Sequence, residues 1–480
     1  MHLGARQTPE TPIAACTLLK EHLGNATTFA TDGSAYTSQR TAHWSQTAWK
    51  KPACIVAPNS REDVIEVMSI LRSTNTTFSI RGGGHSPLSG WANIDGGVLV
   101  AMRNLADVVY DDATETVRLG FGSTWNEVYQ YLETHGRGAV GGRAATVGMG
   151  YLLGGGLSHL SNAYGFGSDN VVSFELVLAN ATLVTVSATS NPNLFYALKA
   201  GANNYGVITH VTLKTYPLGK VWGGTIVYYG EFRDQLMEAF ATYQQSGQLD
   251  KKSAVLSYLA INNATAYVSL AYLEPVDRPE VFAPFYNISG AMIVADTTAI
   301  RDSFSSLFSE DINRVVPRWT FAATTFYLDS KTYKDAAEIA QEATKKLANV
   351  NGATMVLMPQ PISRSMVQAS RASGQSPFTV TDREQMWFCI NMGWNLESDD
   401  EAVGNILMET LDAIDTMTKQ RGLYDRFIFP NDAYHRQDPL RSFGQNAYRK
   451  MRGIANTYDP DRIFQRQVPG GFKLWTASGY

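Results

Sequence analysis

Two glycine-dense stretches carry the residue types in this chain that could do chemistry. In the first, Arg81, Gly82, Gly83, Gly84, His85 and Ser86 follow directly on the apolar run "FSI". Three successive glycines cost conformational entropy and pack nothing, so they belong where backbone must come close to another body. A neutral imidazole at the end of such a loop is a usable nucleophile toward that body. The second stretch, "GRGAVGGRAATVGMGYLLGGG" at 136–156, spends nine glycines in 21 residues. Backbone amides in such loops form concave nests that bind phosphate oxygens without side chains. A cofactor carrying a pyrophosphate is the guest these two loops suit. The chain has no G-x-x-x-x-G-K-[ST], and "GMGYLLG" lacks the G-x-G-x-x-G spacing, so neither a P-loop nor a Rossmann site accounts for them.

Loops of this kind need strands to hold them. From Lys51 to about Pro217, short β-branched runs alternate with helical ones. "CIVAP" precedes a helix that opens on the Ser60/Asp63 capping pair and runs through Leu71. Then come "FSIR", the glycine loop, the turn "NIDGG" and "VLVAM". "TVRLGFG", "FELVLAN", "TLVTVS" and "ITHVTLKTY" predict further strands, with helices near 124–135 and 193–199, which together make a mixed α and β domain. Beyond Pro217 the strands lengthen. "AVLSYLAI" and "TAYVSLAYL", joined by "NNA", predict an antiparallel hairpin, and helices are expected near 234–245, 334–349 and 399–420. In "MWFCINMGW" the alternation puts Met386, Phe388, Ile390 and Met392 on one face and Trp387, Cys389 and Asn391 on the other. The second face mixes one aromatic with small polar groups, as a pocket wall does, and Tyr258 is a comparable candidate; ordinary sheet packing fits the same residues. The expected division is 1–217, 218–420 and a C-terminal segment 421–480 that returns to the first domain.

Composition narrows the partners. The 480 residues, 44% of them hydrophobic, suffice for two cores. With 40 basic against 44 acidic residues the net charge is −4, which leaves no polycationic face for nucleic acid or anionic lipid. No apolar run approaches the ~18 residues of a membrane span, and the opening "MHLGARQTPETP" lacks the apolar core of a signal peptide. Sequons beginning at Asn25, Asn75, Asn180, Asn263 and Asn287 agree with secretion. Three cysteines exclude a zinc cage or a disulfide framework. A Cys16–Cys54 bridge, stabilising by about 4 kcal/mol on the chain-entropy model, and buried free thiols are both open.

The run "PACIVAPNSREDVIEVMSIL", continued by "FSIRGGGHSPLSGWANIDGGVLVAMRNL", resembles the FAD-binding domain of the vanillyl-alcohol oxidase and p-cresol methylhydroxylase superfamily. More narrowly, the chain is similar to the berberine bridge enzyme-like oxidases. That likeness extends through "GGGLSHLSNAYGFGSDNVVSFELVLAN", "FYALKAGANNYGVITHVTLKTYPL" and "ANTYDPDRIFQ", nearly the whole chain. It implies an α+β fold, a p-cresol methylhydroxylase-type FAD-binding domain beside a substrate domain whose antiparallel sheet is flanked by helices. It also implies that FAD is held by Arg81, Gly82, Gly83, Gly84, His85, Ser86, Gly142, Thr146, Val147, Gly150, Gly154, Gly155, Asp169, Asn170, Val207 and Asn431. His85 would bond covalently to the flavin 8α carbon, a tether that fixes the ring and makes the flavin a stronger oxidant.

Three departures from the family pattern matter. Relatives often add a second link from a cysteine, but Ala144 stands there in "GRAATVG", so a single link through His85 is expected. The likeness ties loss of that sulfur to a more enclosed cleft and small metabolites. Val147 matches a position that governs oxygen access, although the stretch to Gly154 is one residue shorter than usual; an ordinary packed valine is the other reading. In "FIFPNDAYHRQDPL" Asn431 is kept but Asp432 replaces a tyrosine that assists the reaction in relatives. Asp432 becomes a candidate general base, with Tyr434 and His435 beside it, and an exposed loop carboxylate is the alternative. His159 either orients substrate or is a satisfied buried histidine. The resulting expectation is a secreted, monomeric oxidase that takes hydride from a sugar, alcohol, amine or secondary metabolite, where hydride loss could trigger ring closure, and reduces molecular oxygen to peroxide. A dehydrogenase with another acceptor and a non-redox cyclase or binding protein are the rivals.

Overall fold

The computed structural model describes residues 12–260, 265–308 and 315–475. The first sheet places β1 (Thr27–Phe29), β2 (Cys54–Val56), β3 (Phe78–Arg81) and β4 (Val98–Ala101) in the order β1-β2-β4-β3, with β4 parallel to both β2 and β3. Its core is closed by α1 (Pro12–Leu23) and, beyond α2 (Ser34–Arg40), by α3 (Arg61–Ser73). Helix α3 starts where the sequence predicts, because the Ser60 hydroxyl accepts from the Asp63 amide at 3.1 Å. Val64, Val67, Met68 and Leu71 then form the one apolar stripe that the sheet buries. Of the two readings of the cysteines, the structure holds the bridge: Cys16 on α1 joins Cys54 on β2, while Cys389 is free and buried.

The second sheet is antiparallel. It contains β5 (Val108–Asp111), β6 (Thr116–Gly120), β8 (Val171–Val177), β9 (Leu183–Ser187) and β10 (Val207–Lys214), ordered β5-β6-β10-β8-β9, while β7 (Arg137–Gly138) pairs with β11 (Tyr216–Pro217). Helix α4 (Trp125–Glu133) buries Trp125, Val128, Tyr129 and Leu132 against this unit. Val177 and Val207 pack into the core of the first sheet, so the two sheets share a seam.

From Val221 onward the chain builds a nine-stranded sheet: β12 (Val221–Tyr229), β13 (Ser253–Ala260), β14 (Thr265–Tyr272), β15 (Ile293–Asp296), β16 (Ala299–Arg301), β17 (Arg318–Tyr327), β18 (Thr354–Ile362), β19 (Gln385–Trp394) and β20 (Tyr424–Asp425). β13 and β14 form the expected antiparallel pair; its turn, like residues 1–11 and the sequon at Asn263, lies outside the described residues. Helices Arg233–Gln245, Ser330–Ala343 and Asp400–Gln420 cover one face. Met386, Phe388, Ile390 and Met392 point into that helix-covered core, as the alternation predicts, and Trp387 points to the other side. β20 adds to this sheet past residue 420, and helix Gln445–Tyr458 then returns to the core beside the second sheet. The architecture is α+β. No described helix is long and apolar enough to cross a membrane.

Candidate functional site

Three loops converge at the end of β3. Gly83 and Gly148 touch so closely that a Cβ on Gly83 would lie 2.7 Å from the Gly148 amide nitrogen. Gly84 has φ +71°, the left-handed region that glycine enters at little cost, and a Cβ there would meet the Ala42 carbonyl at 2.5 Å. The third loop leads into α4: Thr124 bridges to Gly148, and the Trp125 amide donates to the Val147 carbonyl at 2.9 Å. Val147 is half-buried and its backbone is used in this junction. Gly142 lies flat on the Trp125 indole, where a Cβ would come within 2.6 Å, and its carbonyl accepts from Tyr129 at 2.8 Å. The three-glycine run therefore exists because other backbone occupies the space side chains would fill.

His85 stacks on Trp44, with ring centroids 5.0 Å apart and 18° between planes. The segment around Trp44 ties the glycine loop to the large sheet. The Trp44 amide donates to the Gly84 carbonyl at 2.9 Å, Thr47 donates to the Pro87 carbonyl at 2.5 Å, and the Trp319 amide on β17 donates to the Ser45 hydroxyl at 2.8 Å. Trp44 also contacts the Trp319 ring at 6.1 Å. Arg81 is buried and donates to the Gln39 carbonyl; burial lowers its pKa to about 10. The Ser86 hydroxyl accepts from the Leu88 amide at 3.4 Å.

The second half of the site lies where the 141–156 loop meets the sheet and the C-terminal segment. Asn431 accepts from the Gly156 amide at 3.1 Å and donates to the Tyr151 carbonyl at 3.1 Å, and a Cβ on Gly154 would strike its amide at 2.5 Å. Asp432 is buried, not an exposed loop carboxylate. Its Oδ2 accepts from Gln360 Nε2 at 2.6 Å, and Gln360 Oε1 in turn accepts from Arg143. Burial raises the Asp432 pKa, while the Gln360 hydrogen bond and the Arg143 charge pull it back. The Asp432 charge also reaches Cys389, whose thiol is pushed up chiefly by burial, and Tyr151, raised by burial to about 12. His159 is fully enclosed beside Phe304 and Phe308, at 6.2 and 5.5 Å between centroids. Burial, then Arg143, lowers its pKa to about 3, and its Nδ1 has no hydrogen-bond partner among the described residues.

Other candidates fall elsewhere. Tyr434 packs in the helix-covered core of the large sheet, against Gly404, on the opposite side from Asp432, and His435 is exposed. Asp169 accepts from the Phe166 amide at 3.0 Å, and Asn170 donates to the Tyr164 and Phe166 carbonyls at 2.9 and 2.7 Å; both tie down their own loop. Val207 sits in the seam between the first two sheets. Thr146 is exposed beside the Gly83 approach, Gly150 is in open space, and Gly155, at φ +106°, backs onto Phe378. Trp44, Ser45, Arg143 and Gln360 were not legible as site residues. Arg143, directly before the departure at Ala144, was the one signal available.

Residues 52–187 match the FAD binding domain family. The chain is 42% identical over 460 residues to a bifunctional solanapyrone synthase of Alternaria solani, covering 96% of this chain and 89% of the relative. It is 33% identical over 476 residues, 97% of this chain and 90% of the relative, to an FAD-dependent monooxygenase of Arthrobotrys oligospora. The fold is shared with a carbohydrate oxidase of Microdochium nivale, at TM-score 0.78 and 17% identity, covering 96% of this chain and all of the other. It is shared also with the glucooligosaccharide oxidase of Acremonium strictum, at TM-score 0.77 and 18% identity over 95% and 98%. The chain belongs to the berberine bridge enzyme-like FAD-linked oxidoreductases. For a member of that family the residues present fit FAD. The glycine cradle leaves room only for backbone beside a ligand, its loop carries no carboxylate to repel phosphate, and the buried hydroxyls of Ser123 and Ser168 have no hydrogen-bond partner among the described residues.

Proposed function

We propose that this berberine bridge enzyme-like protein is an oxidase whose FAD is tethered through His85 alone and whose general base is Asp432. The observation that carries the second assignment is the buried Asp432–Gln360–Arg143 chain beside the cofactor loop. The glucooligosaccharide oxidase is described with a 6-S-cysteinyl, 8α-N1-histidyl FAD; with Ala144 at the cysteine position, only the histidyl bond is available here. FAD held by the glycine loops and His85 would supply a two-electron acceptor for the hydride that leaves the substrate carbon, with O2 as the final acceptor to give H2O2. Asp432 takes the proton from the substrate hydroxyl or amine as its C–O or C–N bond becomes double. The Gln360 hydrogen bond and the Arg143 charge oppose the burial that raises the Asp432 pKa, and so favour the ionised form that a base needs. Trp44 holds the His85 ring plane fixed by stacking.

Acid precipitation of the purified protein tests the tether. Flavin absorbance is expected to stay with the pellet in the wild type and to leave it in His85→Ala; flavin that leaves the wild type with the acid would overturn the assignment. Asp432→Asn is expected to slow substrate-driven flavin bleaching by at least 100-fold, and full-rate bleaching would remove Asp432 as the base. The name of the Alternaria relative favours a second reading, in which the oxidised product is converted further in the same cleft. Products that differ from the substrate only by the loss of two hydrogens, with no further rearrangement, would exclude it. We further infer maturation in an oxidising, secretory compartment, supported by the Cys16–Cys54 bridge and by the exposed asparagines 25, 75, 180 and 287. A mobility shift of the native protein on N-glycan removal is the expected result, and its absence with free thiols at both cysteines would refute it.

A further inference from the structure

The large sheet has two unlike faces. The face under the helices is closed: Ala322 and Phe326 on β17, Ile390 and Met392 on β19, Leu357 on β18 and Val268 on β14 are all buried. The other face is the one that meets the cofactor loops, through Trp319 to Trp44, and through Gln360 to Arg143 and Asp432. Strand register places Phe321 opposite Asn391, Asn391 opposite Val356, Met358 opposite Cys389, and Tyr258 opposite Tyr267, so these side chains share that face. The pairing of Ala260 with Val356 joins the two halves into one surface. Phe321, Val356, Met358, Tyr258, Tyr267 and Asn391 are only half-buried, although they lie on the middle strands of a sheet whose opposite face is sealed. They form an open floor that ends at Gln360 and Asp432.

The chemistry of the floor selects its occupant. Across β12, β13, β14, β17, β18 and β19 the one charged side chain is Arg318, and it faces away, paired with Asp400 under the helices. A sugar brings a ring of hydroxyls, each of which costs free energy to bury unless it finds a partner. Valine, methionine and phenylalanine offer none, and Asn391 with two phenols cannot serve several sugar rings. These same side chains suit a carbon skeleton, by burial of apolar area and by contact of sulfur and aromatic edges with π-systems. The charged groups stand at one end only, where Arg143 and Asp432 meet through Gln360.

We propose that the substrate is a small molecule with an apolar, unsaturated or aromatic skeleton lying on the Phe321–Met358–Tyr258 floor, its single reacting alcohol or amine directed to Asp432, and that oligosaccharides are excluded. This rests on the oxidase reading above, and it separates this chain from the carbohydrate oxidases that share its fold.

The test uses the flavin-loaded full chain and two probe classes: cinnamyl alcohol and 2,4-hexadien-1-ol against cellobiose and xylobiose. Binding is read as perturbation of flavin absorbance in air-free solution, and oxidation as bleaching of the same band. The dienol and cinnamyl alcohol are expected to perturb the spectrum saturably, with Met358→Gln weakening that binding at least tenfold and leaving the unliganded flavin spectrum unchanged; the disaccharides are expected to do neither. Saturable binding or bleaching by cellobiose or xylobiose would overturn the proposal, as would failure of both apolar probes to bind. Met358-dependent binding of the apolar probes without bleaching, in a protein whose flavin dithionite still reduces, would uphold the substrate class and refute the oxidase reading instead.

Discussion

Removing the Gln360 side-chain amide while keeping its length, as in Gln360→Met, should destabilise the protein in a pH-dependent way through Asp432. Gln360 donates to the buried carboxylate at 2.6 Å, and a hydrogen bond to a buried charged group contributes about 1.5–3 kcal/mol. Losing that donor removes the largest influence that lowers the Asp432 pKa and should raise it further. Burial already holds the folded pKa above its ordinary value of 3.8. The native state therefore binds the proton more tightly than the unfolded state, and this carboxylate's contribution to stability falls as pH rises from the unfolded value through the folded one. Gln360→Met deepens that fall, so its cost is full above the raised pKa and fades as pH drops toward 3.8. A double-mutant cycle with Asp432→Asn isolates the pair. Urea unfolding of the four flavin-loaded proteins should give a coupling of about 1.5–3 kcal/mol at pH 8 that shrinks in acid. A coupling below about 0.5 kcal/mol at pH 8, or one that is the same in acid, would show that the contact is packing and that the amide does not hold the charge.

Gly83→Ala should lose flavin loading, because its Cβ would stand 2.7 and 2.8 Å from the backbone of Gly148, which has no rotamer with which to yield; the strain of such overpacking is about 1–3 kcal/mol. Gly150→Ala, in open space, should load normally, and equal flavin-to-protein absorbance ratios for the two variants would refute the cradle. Replacing Cys16 and Cys54 together by serine should cost about 4 kcal/mol for a closed loop of sequence separation 38; urea unfolding identical to wild type would show the bridge idle. His159, with a folded pKa of about 3 against 6.5, should make stability fall as pH drops through that window, at up to about 1.4 kcal/mol per pH unit. His159→Asn should flatten this slope, and an unchanged slope would mean that the imidazole protonates in place.

The glycine half of the candidate site was legible because it is built from residues that have few other uses. Three glycines in a row, then a histidine, are poor material for a strand, a helix or a core, so their presence at 82–85 admits few explanations, and the structure has other backbone packed where their side chains would be. The capping pair at Ser60 and Asp63 and the alternation from Met386 to Met392 were legible for the same reason: each rests on contacts a few residues apart. The substrate half depends on contacts between residues distant in sequence. Gln360 meets Arg143 across 217 positions and Asp432 across 72, and Ser45 meets Trp319 across 274. Nothing in "MPQP" or "HWSQ" marks such partners, because glutamine in a strand and serine in a loop have many ordinary roles.

Burial of Asp432 shows most clearly where local reasoning stops. A carboxylate in "PNDAYH" reads as a surface turn, and on its own that reading is the sound one. What reverses it is the seating of Asn431 on Gly156 and Tyr151, which draws the segment under the sheet and leaves the next side chain facing inward. Once there, its anionic form is disfavoured by burial, and Gln360 as donor and Arg143 as cation offset part of that cost. Arg143 lies one residue before Ala144, the position at which the family resemblance led us to expect a cysteine. The two departures read in the sequence thus lie beside one end and at the other end of a single hydrogen-bonded chain, Arg143–Gln360–Asp432, and the proposed base depends on the arginine that the chain carries.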